Sequence, residues 1–327
     1  MVRAVSGCTA AVTALDARIS VSSIASPWKM RAAWTGYARA LQLQSIELDE
    51  IDVFSWGCSL KLPDRPLPNT TVDPFDSFAP WFERLAPEHQ AEWRDDLPTS
   101  VVEMPDARDH PTIIRALEVA RQYARVNRTM SPWLGLPRIL CGVGATATPL
   151  PCLTGGVKAF RLVRTPDDDD WHAVLSHLTN SATSALHRLD DMEQIHRRGL
   201  RVIAAEYRPT ALPRLLALLH HRPMLSPQGV ADALDLSVAD ASKLLDRAVD
   251  GELLVEITSR RTWRIFMPPD LAVIFGFAAP KRGRPRSEPL MEIADRGIAA
   301  AIDTFDQQMA EVEALLARIN QRRSPSD

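Results

Sequence analysis

Apolar residues recur at helical spacing along much of the chain. Trp28 to Gln44 (WKMRAAWTGYARALQLQ) repeats them every three to four positions. Pro27 stands just ahead, in a helix-start position where its missing N–H is harmless. The pattern predicts a helix with one buried face. The next sixty or so residues, including LKLPDRPLPNTTVDPFDSFAP and Trp56, Trp81 and Trp93, are dense in proline and aspartate. They predict turns and short helices wrapped on a core. Periodicity resumes at Pro111 and runs to about Arg125, with Ile113, Ile114, Leu117, Ala120 and Ala124 as its apolar stripe. A further helix or helix pair is predicted from about Asp169 to Glu206.

The period changes within residues 212–268. Leu212, Leu215, Leu216 and Leu219 predict one helix. Ser226 as N-cap and Pro227 as first helical residue predict a second, ending near Leu234. A turn at Asp235-Leu236 follows. Ser237 then caps a third helix to about Asp250, with Gly251 as its left-handed stop. Val230, Ala231, Leu234, Leu236, Ala241, Leu244 and Leu245 fill the buried positions of a helix-turn-helix. Asp235 stands where glycine is usual, and aspartate tolerates positive φ better than most residues. Beyond Gly251 the period becomes two: Leu253, Val255 and Ile257 alternate with Leu254, Glu256 and Thr258, and a turn at Ser259-Arg260-Arg261 leads into Thr262 to Phe266. That is the pattern of a β-hairpin, so the segment predicts a winged helix.

Near the C-terminus, Lys281 to Arg286 reads KRGRPR, and Ser287 then caps another helix. Ile298, Ile302, Phe305, Met309, Val312, Leu316 and Ile319 follow at alternating steps of four and three, a heptad seam. A seam either docks on the chain's own core or pairs with a second copy, and Ile298–Ile319 is expected to make a homodimer. The fold class expected is mainly α: a helical N-terminal domain over 1–155, a helical connector over 156–210, a winged helix-turn-helix over 211–268, a basic arm over 279–287 and an amphipathic helix over 288–323.

Charge sharpens the functional question. The 327 residues carry a formal net charge of −3, yet KRGRPR holds four bases and no acid, so the other 321 residues carry −7. Affinity for a polyanion must therefore be local. In the winged helix, seven bases balance seven acids. The third helix offers Ser242, Lys243 and Arg247 to a major groove, beside Asp240 and Asp246, and the wing offers Arg260, Arg261 and Arg264 to phosphates. Arg282-Gly283-Arg284-Pro285 is the core of an AT-hook, whose glycine and proline keep the backbone narrow and extended, so that arginines enter the minor groove of A·T-rich DNA. Lys281, Arg282, Arg284 and Arg286 complete the candidate DNA-binding set.

Other chemistry finds less support. Asp167 to Asp170 read as first-turn acids favoured by the helix dipole rather than a metal cluster. His172, His177, His187 and His196 lack zinc-pair spacing and read as surface and boundary residues. Gly142-Val143-Gly144 with Ala147 fits a loose dinucleotide pattern, but Pro149 and Pro151 fall where the phosphate-binding helix would run. Cys8, Cys58, Cys141 and Cys152 are widely spaced, which predicts reduced thiols in a cytoplasmic, nucleoid-associated protein. Too few apolar residues precede Cys8 for an export signal, and no apolar run reaches membrane-spanning length. No catalytic residue, metal or cofactor is expected.

DEIDVFSWG (Asp49–Gly57), HPTIIRALEVARQYARVNR (His110–Arg128), SPWLGLP (Ser131–Pro137), GGVKAFRL (Gly155–Leu162) and the 212–268 run followed by APKRGRP resemble an uncharacterised bacterial family. Its members join an N-terminal domain of unknown function to a C-terminal helix-turn-helix domain, and the resemblance implies a DNA-binding protein. ALQLQSIELDEID and ITSRRTWRIF are also distantly similar to parts flanking the core of Fic-type nucleotidyl transferases. The HxFx(D/E)GN motif those enzymes need is absent; His110-Pro111 lacks both the acid and the glycine. The function expected is transcription regulation by a DNA-binding protein, with a non-catalytic interaction scaffold or a degenerate transferase as alternatives.

Overall fold

Val5, Cys8, Val12 and Leu15 share one face of α1 (Val2–Ser20), which buries them against the long helix α7 (Asp168–Ala205). The computed structural model describes residues 1–63, 65, 73–90, 92–101, 110–161, 164–207, 211–258 and 263–280. The basic arm from Lys281 and the heptad helix 288–323 lie outside these residues, as do Arg260 and Arg261. Residues 1–279 form one compact unit.

Helix α2 (Ala25–Leu43) is the centre of the N-terminal region and buries Trp28, Trp34, Tyr37 and Leu41. The proline-rich stretch after it supplies α3 (Glu50–Gly57) and α4 (Phe78–Glu83), as its composition predicts. Trp81 and Trp93 are buried there, and Trp81 donates its indole N–H to the Leu134 carbonyl at 2.8 Å. Helix α5 (Thr112–Val126) buries the predicted positions Ile113, Leu117, Ala120 and Ala124, while Ile114 is half-buried. The fold is mainly α.

Three features depart from the sequence patterns. Residues 131–142 form α6 (Ser131–Gly142), although glycines and Pro137 interrupt the helical signal. Gly142 is there for packing: a Cβ on it would lie 2.3 Å from Nε1 of Trp93. Second, of the helix or helix pair expected over about Asp169 to Glu206, the structure has the single helix α7, 38 residues long. Asp167 and Asp170 begin it as a reciprocal capping box, so the acidic run is a helix start, as expected. Third, α7 is more than a connector. Val174, Leu175, Leu178, Ala182, Leu189 and Met192 join the N-terminal core, and Ile195 joins the core of the winged segment.

The C-terminal part comprises α8 (Leu212–His221), α9 (Pro227–Leu234), α10 (Val238–Asp250), β1 (Val255–Glu256), β2 (Phe266–Met267) and α11 (Pro269–Ile274). The strands pair antiparallel, Val255 opposite Met267 and Glu256 opposite Phe266, and Leu225 bridges to Phe266. The order is thus helix, bridge, two helices and an antiparallel strand pair. Met267, Leu271 and Ala272 sink into the N-terminal core, and Phe275 meets Phe54 edge to face at 5.4 Å. Arg31 of α2 fastens the other side by donating to the Leu219 and His220 carbonyls at 2.6 and 3.2 Å, groups the end of α8 leaves open.

Candidate nucleic-acid interface

Local chemistry sets the helix-turn-helix. The Ser226 hydroxyl accepts the Gly229 N–H at 3.1 Å and starts α9; the Ser237 hydroxyl accepts the Asp240 N–H at 3.1 Å and starts α10. Asp235 between them adopts φ 55° and ψ 56°, the left-handed turn conformation expected of it. Val230, Ala231, Leu234, Ala241, Leu244 and Leu245 are buried, and Leu236 is half-buried. Gly251 departs from expectation: its φ is −78°, and Glu252 takes the left-handed position at φ 54°. Leu253 and Leu254 are both buried and Val255, Glu256, Ile257 and Thr258 are all half-buried, so the predicted alternation does not appear in their burial.

Exposed α10 residues divide by partner. Lys243 is 77% exposed and sits 3.5 Å from Asp240, whose carboxyl is held below its usual range by the Ser237 hydroxyl and by Lys243. Ser242 is half-buried beside it. Arg247 pairs with Glu206 at the end of α7, which turns its guanidinium toward the chain's own scaffold. Arg264 donates to Glu256 at 2.8 Å and to Asp246 at 2.7 Å, and its guanidinium lies 4.7 Å from the Phe266 ring centre. Those two carboxylates raise its pKa further above the normal arginine value. The geometry thus gathers Ser242, Lys243, Arg247 and Arg264 around α10 and the wing, with all three cations beside acids and Lys243 in the most exposed of the pairs. Arg260, Arg261, Lys281, Arg282, Arg284 and Arg286 fall outside the described residues.

Charge compensation at Asp246 was invisible to helix periodicity. Asp246 faces Arg264, 18 positions on and just ahead of β2, so its negative charge is partly cancelled. Apolar groups stand nearby: Val238 is 45% exposed at the start of α10 and Trp263 is 56% exposed in the hairpin.

A second arrangement, also hidden in the sequence, lies at the joint with α7. His196 Nδ1 and His220 Nε2 are 3.0 Å apart. Burial, then the charge of Arg31, depresses the His220 pKa to about 4. His172 and His187 are exposed and His177 half-buried, matching their sequence assignment. Among the described residues, no group of three or more His, Cys, Asp or Glu is placed to hold a metal, and no helix is long and apolar enough to cross a membrane. The four cysteines are free thiols, with burial pushing Cys58 up to about 11 and Cys152 up to about 12. No protein-family model matches the chain, and no curated protein matches it.

Proposed function

We propose that the chain is a DNA-binding transcriptional regulator in which α10 enters a major groove and the basic segments at 260–264 and 281–286 grip phosphates and the minor groove. The observation that carries this is the helix-turn-helix itself: two serine-capped helices joined by a left-handed Asp235, followed by a hairpin whose turn is arginine-rich. Lys243 is exposed and its pair with Asp240 is weak, so a phosphate can displace the carboxylate. Arg264 acts here by neutralising Asp246 as much as by touching DNA. The module is close to neutral, so the arm at Lys281–Arg286 supplies the anchoring charge and an A·T preference. The resemblance to the helix-turn-helix family agrees with this role, and a homodimer through Ile298–Ile319 would present two half-sites to an operator. The chain acts by binding rather than by catalysis.

The full chain is expected to bind an A·T-rich duplex with affinity that falls steeply as salt rises. An Arg260→Ala/Arg261→Ala/Arg282→Ala/Arg284→Ala variant is expected to lose most of that affinity. A protein-interaction role for the winged helix is favoured by one observation, the pairing of Arg247 and Arg264 with acids beside exposed Val238 and Trp263. In that role the variant and the unchanged chain would bind duplex equally weakly.

A further inference from the structure

Residues 194–222, from the last turns of α7 to the end of α8, hold six arginines and one acid, Glu206. That stretch carries a net charge of +5 in a chain of −3, so the other 298 residues carry −8. Two contacts fix how α8 lies along α7. His196 and His220 stand 3.0 Å apart, and a Cβ on Gly199 would lie 2.6 Å from the Leu216 side chain. One partner advances along the chain as the other retreats, so the two helices run antiparallel. The same register brings Arg201 of α7 level with Arg214 of α8, and Arg197 level with the span between Ala217 and His221.

Helix α7 sorts its arginines by side. Arg198 donates to the Glu252 carbonyl at 3.1 Å, Val202 lies against Gly251, and Glu206 pairs with Arg247, so that side of the helix is spent on the end of α10. Arg197 and Arg201, one turn apart, fall on the opposite side and are exposed, with Ala204 beside them. On α8 the leucines at 212, 215, 216 and 219 are buried, which leaves Arg214, Pro213, Ala217 and His221 outside. The side chains between the arginines are short apart from Leu200, so the guanidiniums stand proud of the surface. Glu193, one turn before Arg197, is held by Arg18 and Ser22. Like charges gathered on one rigid face raise a local positive potential, and its complement is a polyanion.

We propose that this face of α7 and α8 binds the phosphate backbone of duplex DNA, with Arg197 and Arg201 from one helix and Arg214 from the other. Guanidiniums match phosphate oxygens in pairs, and a row of them on two packed helices meets phosphates that repeat along a strand. The face lies more than a quarter-turn round α7 from the side that meets α10. It therefore takes a different stretch of backbone from the one a helix in the groove would read, and it does not depend on α10 entering DNA.

The test measures the affinity of the full chain for a G·C-rich duplex, which offers the basic arm no A·T tract, as salt is varied. Arg197→Ala/Arg201→Ala/Arg214→Ala is expected to make the slope of log affinity against log salt shallower by about 2 to 3, and each single substitution by about 1. Arg197→Lys/Arg201→Lys/Arg214→Lys keeps the charge and is expected to keep the slope. All three side chains are exposed, so the unfolding midpoints of these variants are expected to match that of the unchanged chain. An unchanged slope in the alanine variant, an equal loss in the lysine variant, or no duplex binding by the full chain would overturn the inference. So would binding to phosphatidylserine vesicles that the alanine variant loses while its duplex slope is unchanged. Lys243→Ala separates the two surfaces. A weaker complex there, with an unaltered slope in the alanine variant, refutes this face and leaves the α10 reading standing; the converse assigns the duplex to α7 and α8.

Discussion

The exposed face of α10 and the seam between α2 and α7 both place cations beside acids, and burial makes the two opposite in consequence. On α10, Lys243 and Asp240 are 77% and 61% exposed, so their pair contributes at most about 1 kcal/mol and exchanges readily for another charge. In the seam, Arg188 and Glu50 are only 20% and 23% exposed. Breaking such a pair strands a charge away from water. Exposed charge suits recognition of an outside partner because it is cheap to rearrange. Seam charge fixes the helices that hold it.

The largest effect expected from this contrast is at Arg188. Arg188→Ala leaves Glu50 without its guanidinium and is expected to destabilise the protein by about 3 kcal/mol in urea unfolding. Lys243→Ala is expected to change stability by less than about 0.5 kcal/mol. A smaller gap between the two would mean that the seam is well hydrated.

The joint between α7 and α8 gives a pH dependence. The folded His220 pKa of about 4 lies below the unfolded value of about 6.5. Between those values the unfolded chain binds more protons, so this group's contribution weakens as pH falls from about 6.5 toward 4, by on the order of 3 kcal/mol. Asp191 runs the other way, because burial and Asp270 raise its pKa to about 6 and its protonated form favours the fold. The measurement is therefore the difference in pH slope between the unchanged chain and His220→Gln. The variant should lose less stability on acidification; equal slopes would contradict the assignment.

Smaller effects are expected at the caps. Ser226→Ala and Ser237→Ala each remove an acceptor for a helix-start N–H and should cost about 1 kcal/mol. Ser237→Asp should restore most of the loss at its site.

These residues also mark what the sequence made legible. The helix-turn-helix is written in neighbouring residues, with serine caps, Pro227, a turn aspartate and a stripe of leucines, so its elements follow from local rules. The seam is assembled from α2, α3, α7 and α11, segments up to about 240 positions apart, and no local pattern joins them. One signal was available: Arg31 and Arg39 fall in register with Trp28 and Thr35 on the buried face of α2, as Arg188 does with Ala185 and Met192 on α7. A cation in the apolar stripe announces a buried partner. Helix α6 was hidden because Gly142 serves close packing and Pro137 lies inside it, both of which propensity reads as breaks. The pairing of Arg264 with Asp246 depended on hairpin register, which period-two alternation leaves open.

The central claim is that the winged helix borrows its charge from the arm. The most direct measurement compares the full chain with its Lys281→Ala/Arg282→Ala/Arg284→Ala/Arg286→Ala variant, on A·T-rich and G·C-rich duplexes, as the slope of log affinity against log salt. The arm carries four bases, so its loss should make the slope shallower by about 3 to 4 and remove the A·T preference. Equal slopes with no base preference in either chain would contradict the account.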